Sequence, residues 1–297
     1  IKENAEIVMG MCHHVALSSM NYYFNKVKPS KVVVAFDKSS WRKLYTENLS
    51  KCITNRKYKA NRRNNLTPED IKKFELLDSH INELYEIFKT KTNLITIRRE
   101  YLEADDLIAG FVQMHPDSQH TLISSDRDFL QLLVKHNLQI IDPATDKNLS
   151  LEEWDNDPEY FMFSKCIRGD SGDNVMSSYP RLRQTKIKEA YTDSFKLENI
   201  MQNEFKVLQN IDGEIKEFTY KTREVCNENQ TLMNLEKQPD FIRELIEETI
   251  KEEMSKQNKF DYISFLRFCS KHKLNNIMEK LESFVPLLSG QSKFRFS

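Results

Sequence analysis

Glycine is scarce: the 297-residue chain contains six. No Gly-x4-Gly-Lys-Ser/Thr run is present, so a glycine-rich phosphate loop is not expected. Cysteine is sparse as well. Cys12, Cys52, Cys166, Cys226 and Cys269 lie far apart, are odd in number and form no CxxC pair. That usage suits a reducing, cytoplasmic setting and argues against structural zinc. No apolar run approaches the length of a membrane span, and Ile1–Gly10 carries charge without the apolar centre of a signal peptide. Internal repeats and low-complexity segments are missing too. A net charge of -1 says nothing about nucleic acid by itself; the placement of the charges says more. With 39% hydrophobic and 30% charged residues, the chain is polar but able to fold.

Along the chain, residues 1–27 carry apolar positions at helical spacing (Val8, Met11, Val15, Ala16, Met20, Tyr23, Phe24). The adjacent His13 and His14 cannot both face one way and read as helix surface, not ligands. After Pro29-Ser30, Lys31–Phe36 is a continuous apolar run, the look of a strand buried on both faces of a parallel sheet, and it ends in Asp37. Residues 38–67 are polar, basic and spotted with aromatics, and Lys51–Arg63 holds six cations and no anion. A connection of that length is often functional. Clustered Lys and Arg (Arg42, Arg56, Lys57, Arg63) could grip phosphates while Tyr58 stacks on bases; a solvated loop is the plainer alternative. Thr67-Pro68-Glu69-Asp70 starts a long helix. Strands are expected at Leu94–Arg98, Thr121–Ser124 and Leu138–Ile141, alternating with helices. That pattern predicts an α/β fold with a doubly wound, mostly parallel sheet and flanking helices. From about Leu151 the pattern turns helical, with a Gly-Asp turn at Gly169–Asn174 and a second basic patch containing Arg181, Arg183 and Lys186.

The acids fall at particular places. Asp37, the group Glu103/Asp105/Asp106 and the pair Asp126/Asp128 each follow a predicted strand. A parallel sheet sets such ends along one edge, where ligands of open α/β sheets bind. Like charges so close repel unless neutralised. Asp170 and Asp173 could close the site from the helical region. An oxygen-only donor set without cysteine or clustered histidine suits magnesium or manganese, and two such ions can clamp the attacking and leaving oxygens of a phosphodiester.

Val34-Ala35-Phe36-Asp37 with Trp41-Arg42, Tyr58-Lys59-Ala60-Asn61-Arg62, Glu103-Ala104-Asp105-Asp106, Ser124-Ser125-Asp126-Arg127-Asp128-Phe129 and Gly169-Asp170-Ser171-Gly172-Asp173-Asn174 together resemble the 5′-nuclease family. That family holds flap endonucleases, the 5′ nuclease domain of bacterial DNA polymerase I and phage 5′→3′ exonucleases. Within it the chain most resembles the RNase H of T-even bacteriophages. The likeness covers about residues 10–180.

The resemblance implies a catalytic core over 1–155 with an arch at about 38–67, and a helical DNA-binding region over 156–297. It implies two Mg2+ ions, with Mn2+ as a substitute. Asp37, Asp105 and Asp126 would hold one ion with Glu103 nearby. Asp128, Asp170 and Asp173 would serve the second, with Asp106 behind them. Lys59 and Arg62 would engage the scissile phosphate. The implied activity is removal of RNA primers or 5′ flaps during replication, by a monomer acting on branched or 5′-tailed DNA and RNA/DNA duplex. For a phage protein that happens in the host cytoplasm.

Two features depart from the family. Its first strand and the metal-binding aspartate ending it have no counterpart before Asp37, so the chain reads as missing that strand. Its glycine-rich helix-hairpin-helix is replaced by Ser178–Arg183, as in phage members. The first departure keeps open a catalytically impaired module that binds branched DNA. A receiver-like phospho-acceptor would also place Asp at a strand end but leaves the basic arm unexplained. The tail Ser292–Phe296 alternates basic and aromatic residues; it reads as a disordered end or as a docking peptide for a sliding clamp or single-strand-binding protein.

Overall fold

The computed structural model describes every residue except 1, 49–51, 64–65, 212, 257 and 291–297, with the side chains of 2–8, 63 and 211 also outside the description. In chain order the elements are α1 (Lys2–Val27), β1 (Val33–Ala35), α2 (Trp41–Glu47), α3 (Pro68–Lys91), β2 (Ile95–Ile97), α4 (Ala104–Met114), β3 (His120–Ile123), β4 (Leu138–Asp142), β5 (Lys147–Asn148), α5 (Pro158–Arg168), α6 (Gln184–Thr192), α7 (Ser194–Met201), β6 (Glu204–Ile211), β7 (Glu214–Lys221), α8 (Thr222–Met233), α9 (Asp240–Ser255), α10 (Tyr262–Lys271), α11 (Asn275–Met278) and α12 (Leu281–Ser289). They form two compact units that interleave along the chain: 1–38, 66–99 and 247–297 make the first, 39–65 and 100–246 the second.

In the first unit β1 pairs in parallel with β2, Val33 opposite Ile95 and Ala35 opposite Ile97. Leu17, Phe24, Phe36, Phe88, Leu94, Phe265 and Leu288 form its core. The start of α3 follows the expected cap: Thr67 Oγ1 accepts the Asp70 N–H at 3.2 Å, and Asp70 Oδ2 accepts that of Thr67 at 3.1 Å. Asp37 is exposed just beyond β1, where its carbonyl accepts from Arg98 Nε at 3.1 Å.

Helix α1 corrects the sequence reading of its face. Met11 and Val15 are 63% and 64% exposed, whereas His13 and Leu17 are buried. The inward stripe is Met9, His13, Leu17, Met20 and Phe24, a spacing of three and four residues. Adjacency of His13 and His14 argued only that both cannot turn inward; one does.

In the second unit β3 pairs in parallel with β4, and β5 joins β4 antiparallel. Ala109, Phe129, Leu130, Leu132, Ile140, Phe161 and Ile167 fill the core. The stretch Arg127–Leu132, expected as α-helix, is a 3-10 helix. The run expected to be wholly helical beyond 156 is interrupted by the β6–β7 hairpin, Glu204 opposite Lys221. Its inward residues Phe205, Val207 and Phe218 pack on Met176 and Val225, while Leu208 and Ile215 are 69% and 73% exposed. The two-residue alternation of a half-buried strand explains it.

Candidate metal centre

Six carboxylates line one cleft of about 180 Å³ in the second unit: Glu103, Asp105, Asp126, Asp128, Asp170 and Asp173. Arg42, Tyr58, Lys59 and Arg62 share it. Three separate stretches supply the acids, and their short polar ends meet there.

Glu103 caps α4, and Asp105 and Asp106 stand in that helix's first turn, where the helix dipole favours negative charge. Asp126 caps the 3-10 helix and its Oδ1 accepts the Asp128 N–H at 2.8 Å. Asp170 bridges to Val175 just past α5. Its Oδ1 accepts the N–H groups of Gly172 at 2.8 Å and Asp173 at 3.2 Å. Gly169 makes this turn possible: its φ is +68°, and a Cβ there would stand 2.6 Å from the Met176 backbone.

The basic arm is pinned to that turn. The Lys59 N–H donates to the Asp173 carbonyl at 2.9 Å, Asn61 Nδ2 to Ser171 at 2.7 Å, and Asn174 Nδ2 to Lys57 at 2.9 Å. Further back, the Ile53 N–H donates to Glu228 at 2.6 Å. Among the described residues the arm is therefore a docked segment. Lys59 itself has φ +56°, the kind of uncommon backbone that surrounding contacts must over-determine.

Cations interleave with the acids. Lys59 Nζ donates to Glu103 and lies 3.9 Å from Asp173; Arg62 donates to Asp173. Lys165, on α5, donates to Asp128 and lies 3.5 Å from Asp170. Burial pushes the Asp128 carboxyl up, helped by Asp126 and Asp170 and against the pull of Lys165. Lys165 is raised in turn: burial opposes its charge, but Asp128 and Asp170 hold the proton on. Nothing in the α5 sequence pattern singled Lys165 out; its role appears only once Asp128 and Asp170 are seen to converge on it.

Two residues expected to touch nucleic acid are turned inward. Arg42 is 3% exposed. Its Nη1 donates to Glu103 at 2.8 Å and to Asp106 at 2.9 Å, Nη2 to Asp106 at 2.8 Å, and Nε to the Leu232 carbonyl at 2.6 Å. A guanidinium with this many internal acceptors is not offered to a phosphate. Tyr58 is buried too, its hydroxyl donating to Asp173 at 2.7 Å; burial, then Glu103, pushes its phenol up, so it stays a neutral donor. Its ring cannot stack on a base. Asp106 is fully buried behind the cleft, bound by Arg42 and by Gln238 Nε2 at 2.9 Å. Burial opposes its charge, yet Arg42 holds it below the usual carboxylate range.

Of the other expected residues, Lys57, Arg181 and Arg183 are exposed and Arg56 is half-buried. Lys186 pairs with Glu189 at 2.9 Å. Asp37 belongs to the first unit and is not among the residues lining the cleft. The Arg63 side chain and the tail Ser292–Phe296 lie outside the described residues.

Several solved structures share the fold. A bacteriophage T5 protein co-crystallised with metal ions aligns with TM-score 0.60 at 19% identity, over 80% of this chain and 88% of that one. The T5 flap endonuclease in a pseudo-enzyme–product complex with DNA and metal ions gives 0.59 at 19%, over 80% and 88%. The T5 5′-exonuclease with bound zinc gives 0.59 at 20%, over 82% and 90%. Among curated proteins none matches. The family described as 5′-3′ exonuclease, N-terminal resolvase-like domain, matches residues 4–159. That match spans more than half of the sequence, and the chain belongs to this 5′→3′ exonuclease family.

Proposed function

We propose that the chain is a divalent-metal-dependent 5′→3′ exonuclease and flap endonuclease with RNase H activity, removing RNA primers or 5′ flaps during DNA replication in the cytoplasm. One observation carries the reading: acids from Glu103–Asp105, Asp126–Asp128 and Asp170–Asp173 line one cleft together with Lys59 and Arg62. The donors are all carboxylate oxygens, which fits Mg2+ or Mn2+. The fit extends to charge. Four cations, Arg42, Lys59, Arg62 and Lys165, do not balance these acids and Asp106, and Asp128 is held above its ordinary range by burial and its neighbours. Added positive charge is what the cleft accepts.

Asp105 and Asp126, with Glu103 beside them, would hold one ion; Asp128, Asp170 and Asp173 would hold the second. Bound ions would supply an activated water and neutralise charge on the scissile phosphate. Lys59 and Arg62, now resting on Glu103 and Asp173, are placed to exchange a carboxylate for that phosphate and stabilise its developing charge. Lys57, Arg181 and Arg183 would follow the strand or duplex backbone. The solved T5 complex with DNA and metal ions supports this arrangement by fold likeness. The protein would act as a monomer, with the tail docking a clamp or single-strand-binding protein.

Asp126→Asn tests the reading. With magnesium, a labelled 5′-flap duplex should be cut by the unaltered chain and not by the variant, while both bind it. Normal cutting by the variant overturns the assignment. No product from the unaltered chain with either magnesium or manganese replaces it with a module that only binds branched DNA.

A further inference from the structure

The first unit gathers three histidines that the nuclease reading does not use. His13 comes from α1, His80 from α3, and His272 directly follows α10. One ligating nitrogen from each lies within 4.8 Å of the other two. His13 Nε2 and His80 Nδ1 are 3.1 Å apart, and the ring centroids are separated by 5.2, 4.6 and 5.2 Å. His13 is 3% exposed. A carboxylate stands at the edge of the group, outside the 4.8 Å cluster: Glu83, one turn along α3 from His80, puts Oε2 3.1 Å from His272 Nε2. Among the described residues that nitrogen is buried with this ion-pair contact but no well-formed hydrogen bond.

We infer that His13, His80 and His272, with Glu83 as a fourth donor, form a transition-metal site of the zinc class that ties α1, α3 and α10 together. Four-coordinate zinc holds imidazole nitrogens at about 2.0–2.1 Å, which places neighbouring ligand nitrogens about 3.3 Å apart. The His13–His80 pair already has that separation, and the third nitrogen needs an approach of the order of 1.5 Å. Lys271 Nζ, 2.7 Å from Glu83 Oε1, orients the carboxylate as outer partners of metal ligands do. Close approach of the helices is built in as well: a Cβ at Gly10 would stand 2.9 Å from the His272 carbonyl oxygen.

This set differs in kind from the nuclease cleft. Imidazoles select zinc, copper or nickel, whereas carboxylates alone suit hard ions. The argument from sequence against structural zinc rested on cysteine. Histidine supplies the donors instead, from three helices whose sequence separation hides the grouping.

The experiment uses the full chain, stripped with chelator, in excess magnesium so that the carboxylate cleft is filled. Zinc is titrated, and cobalt is used as a spectroscopic stand-in. One zinc should bind, cobalt should give the intense visible bands of a tetrahedral nitrogen-rich site, and saturating zinc should raise Tm by about 5 °C. His80→Ala should weaken zinc by more than about 100-fold, beyond the loss of an outer partner. It should also remove the thermal gain and leave magnesium-dependent flap cleavage unchanged. Zinc binding equal in His80→Ala and the unaltered chain, or none in excess magnesium, overturns the proposal. If His80→Ala does not fold, Glu83→Gln and His272→Gln are read by the cobalt spectrum, and unchanged bands in both overturn it. Because the cleft is not involved, failure of this site leaves the nuclease reading standing, and the reverse holds too.

Discussion

Arg42 shows how much a single side chain can hide. In the sequence it stands in a basic, aromatic stretch and reads as a phosphate contact; in the fold it is the buried counter-ion of Glu103 and Asp106. Breaking a buried pair leaves an uncompensated charge and costs about 3–5 kcal/mol, so Arg42→Met should lower unfolding free energy by that amount in urea titrations. Arg42→Lys should not rescue it, because an ammonium cannot reach Glu103, both Asp106 oxygens and the Leu232 carbonyl together. A loss under about 1 kcal/mol would show the pair to be dispensable. Lys165 makes the complementary case. It occupies the Asp128–Asp170 side of the cleft as an internal cation, so Lys165→Met should lower Tm in chelator and gain more from magnesium than the unaltered chain does. An equal magnesium response in both would exclude competition between Lys165 and the ion. The acids themselves were legible because each sits at the end of a run whose period shows in the sequence. Their partners were not, since Arg42, Lys165 and Gln238 reach them across long sequence separations.

Helix α5 is the element on which the cleft's far side depends, because Lys165 lies on it and Gly169 to Asp173 continue it. Its start is held by Asp157, whose Oδ1 accepts the Glu159 N–H at 2.8 Å and the Tyr160 N–H at 3.2 Å. Its Oδ2 accepts the Tyr191 hydroxyl at 2.7 Å. Burial works against the charge, but these donors hold the Asp157 carboxyl below its ordinary value. A depressed carboxylate stabilises the fold above its unfolded pKa of about 3.9 and loses that contribution as pH falls through the folded value. Tyr191 runs the other way: burial, then Asp157, raises it to about 12. Its contribution is complete below about pH 10 and is lost as pH rises toward that raised value. Asp157→Ala should cost about 1–2 kcal/mol at pH 7, and the gap to the unaltered chain should close in acid; a gap independent of pH would show that capping charge is not involved. Gly169→Ala meets both a positive φ and the Met176 backbone, and should cost more than about 1 kcal/mol while displacing Asp170. The helical period of α5 was readable in advance. The β6–β7 hairpin was hidden because its apolar residues are split between a packed face and an exposed one, which blurs the two-residue alternation that marks a strand.

At the scale of the molecule, a net charge of -1 conceals a division of labour. Many anions and cations are paired, and what matters for a polyanionic partner is which cations remain exposed. Lys186 is tied to Glu189 and Lys188 to Asp155, whereas Arg181 and Arg183 are exposed on the turn that leads into α6, following the Asp170–Asp173 acids in the second unit. The compact units interleave, so segments 39–65 and 100–246 share one body although residues 66–99, which belong to the other, lie between them in sequence. A linear reading of boundaries could not express that, because the folding pattern is set by which faces bury each other and not by order along the chain. Removing one cation that neutralises a phosphate lowers the slope of log affinity against log salt by about 0.9. Arg181→Ala/Arg183→Ala should therefore weaken binding of a 5′-flap duplex across all sequences and flatten the slope by about 2, while Lys186→Ala, already neutralised by Glu189, should change it by less than about 0.5. Equal slopes for the unaltered chain and the double variant, measured by fluorescence anisotropy over a salt series in calcium, would move the duplex path away from α6.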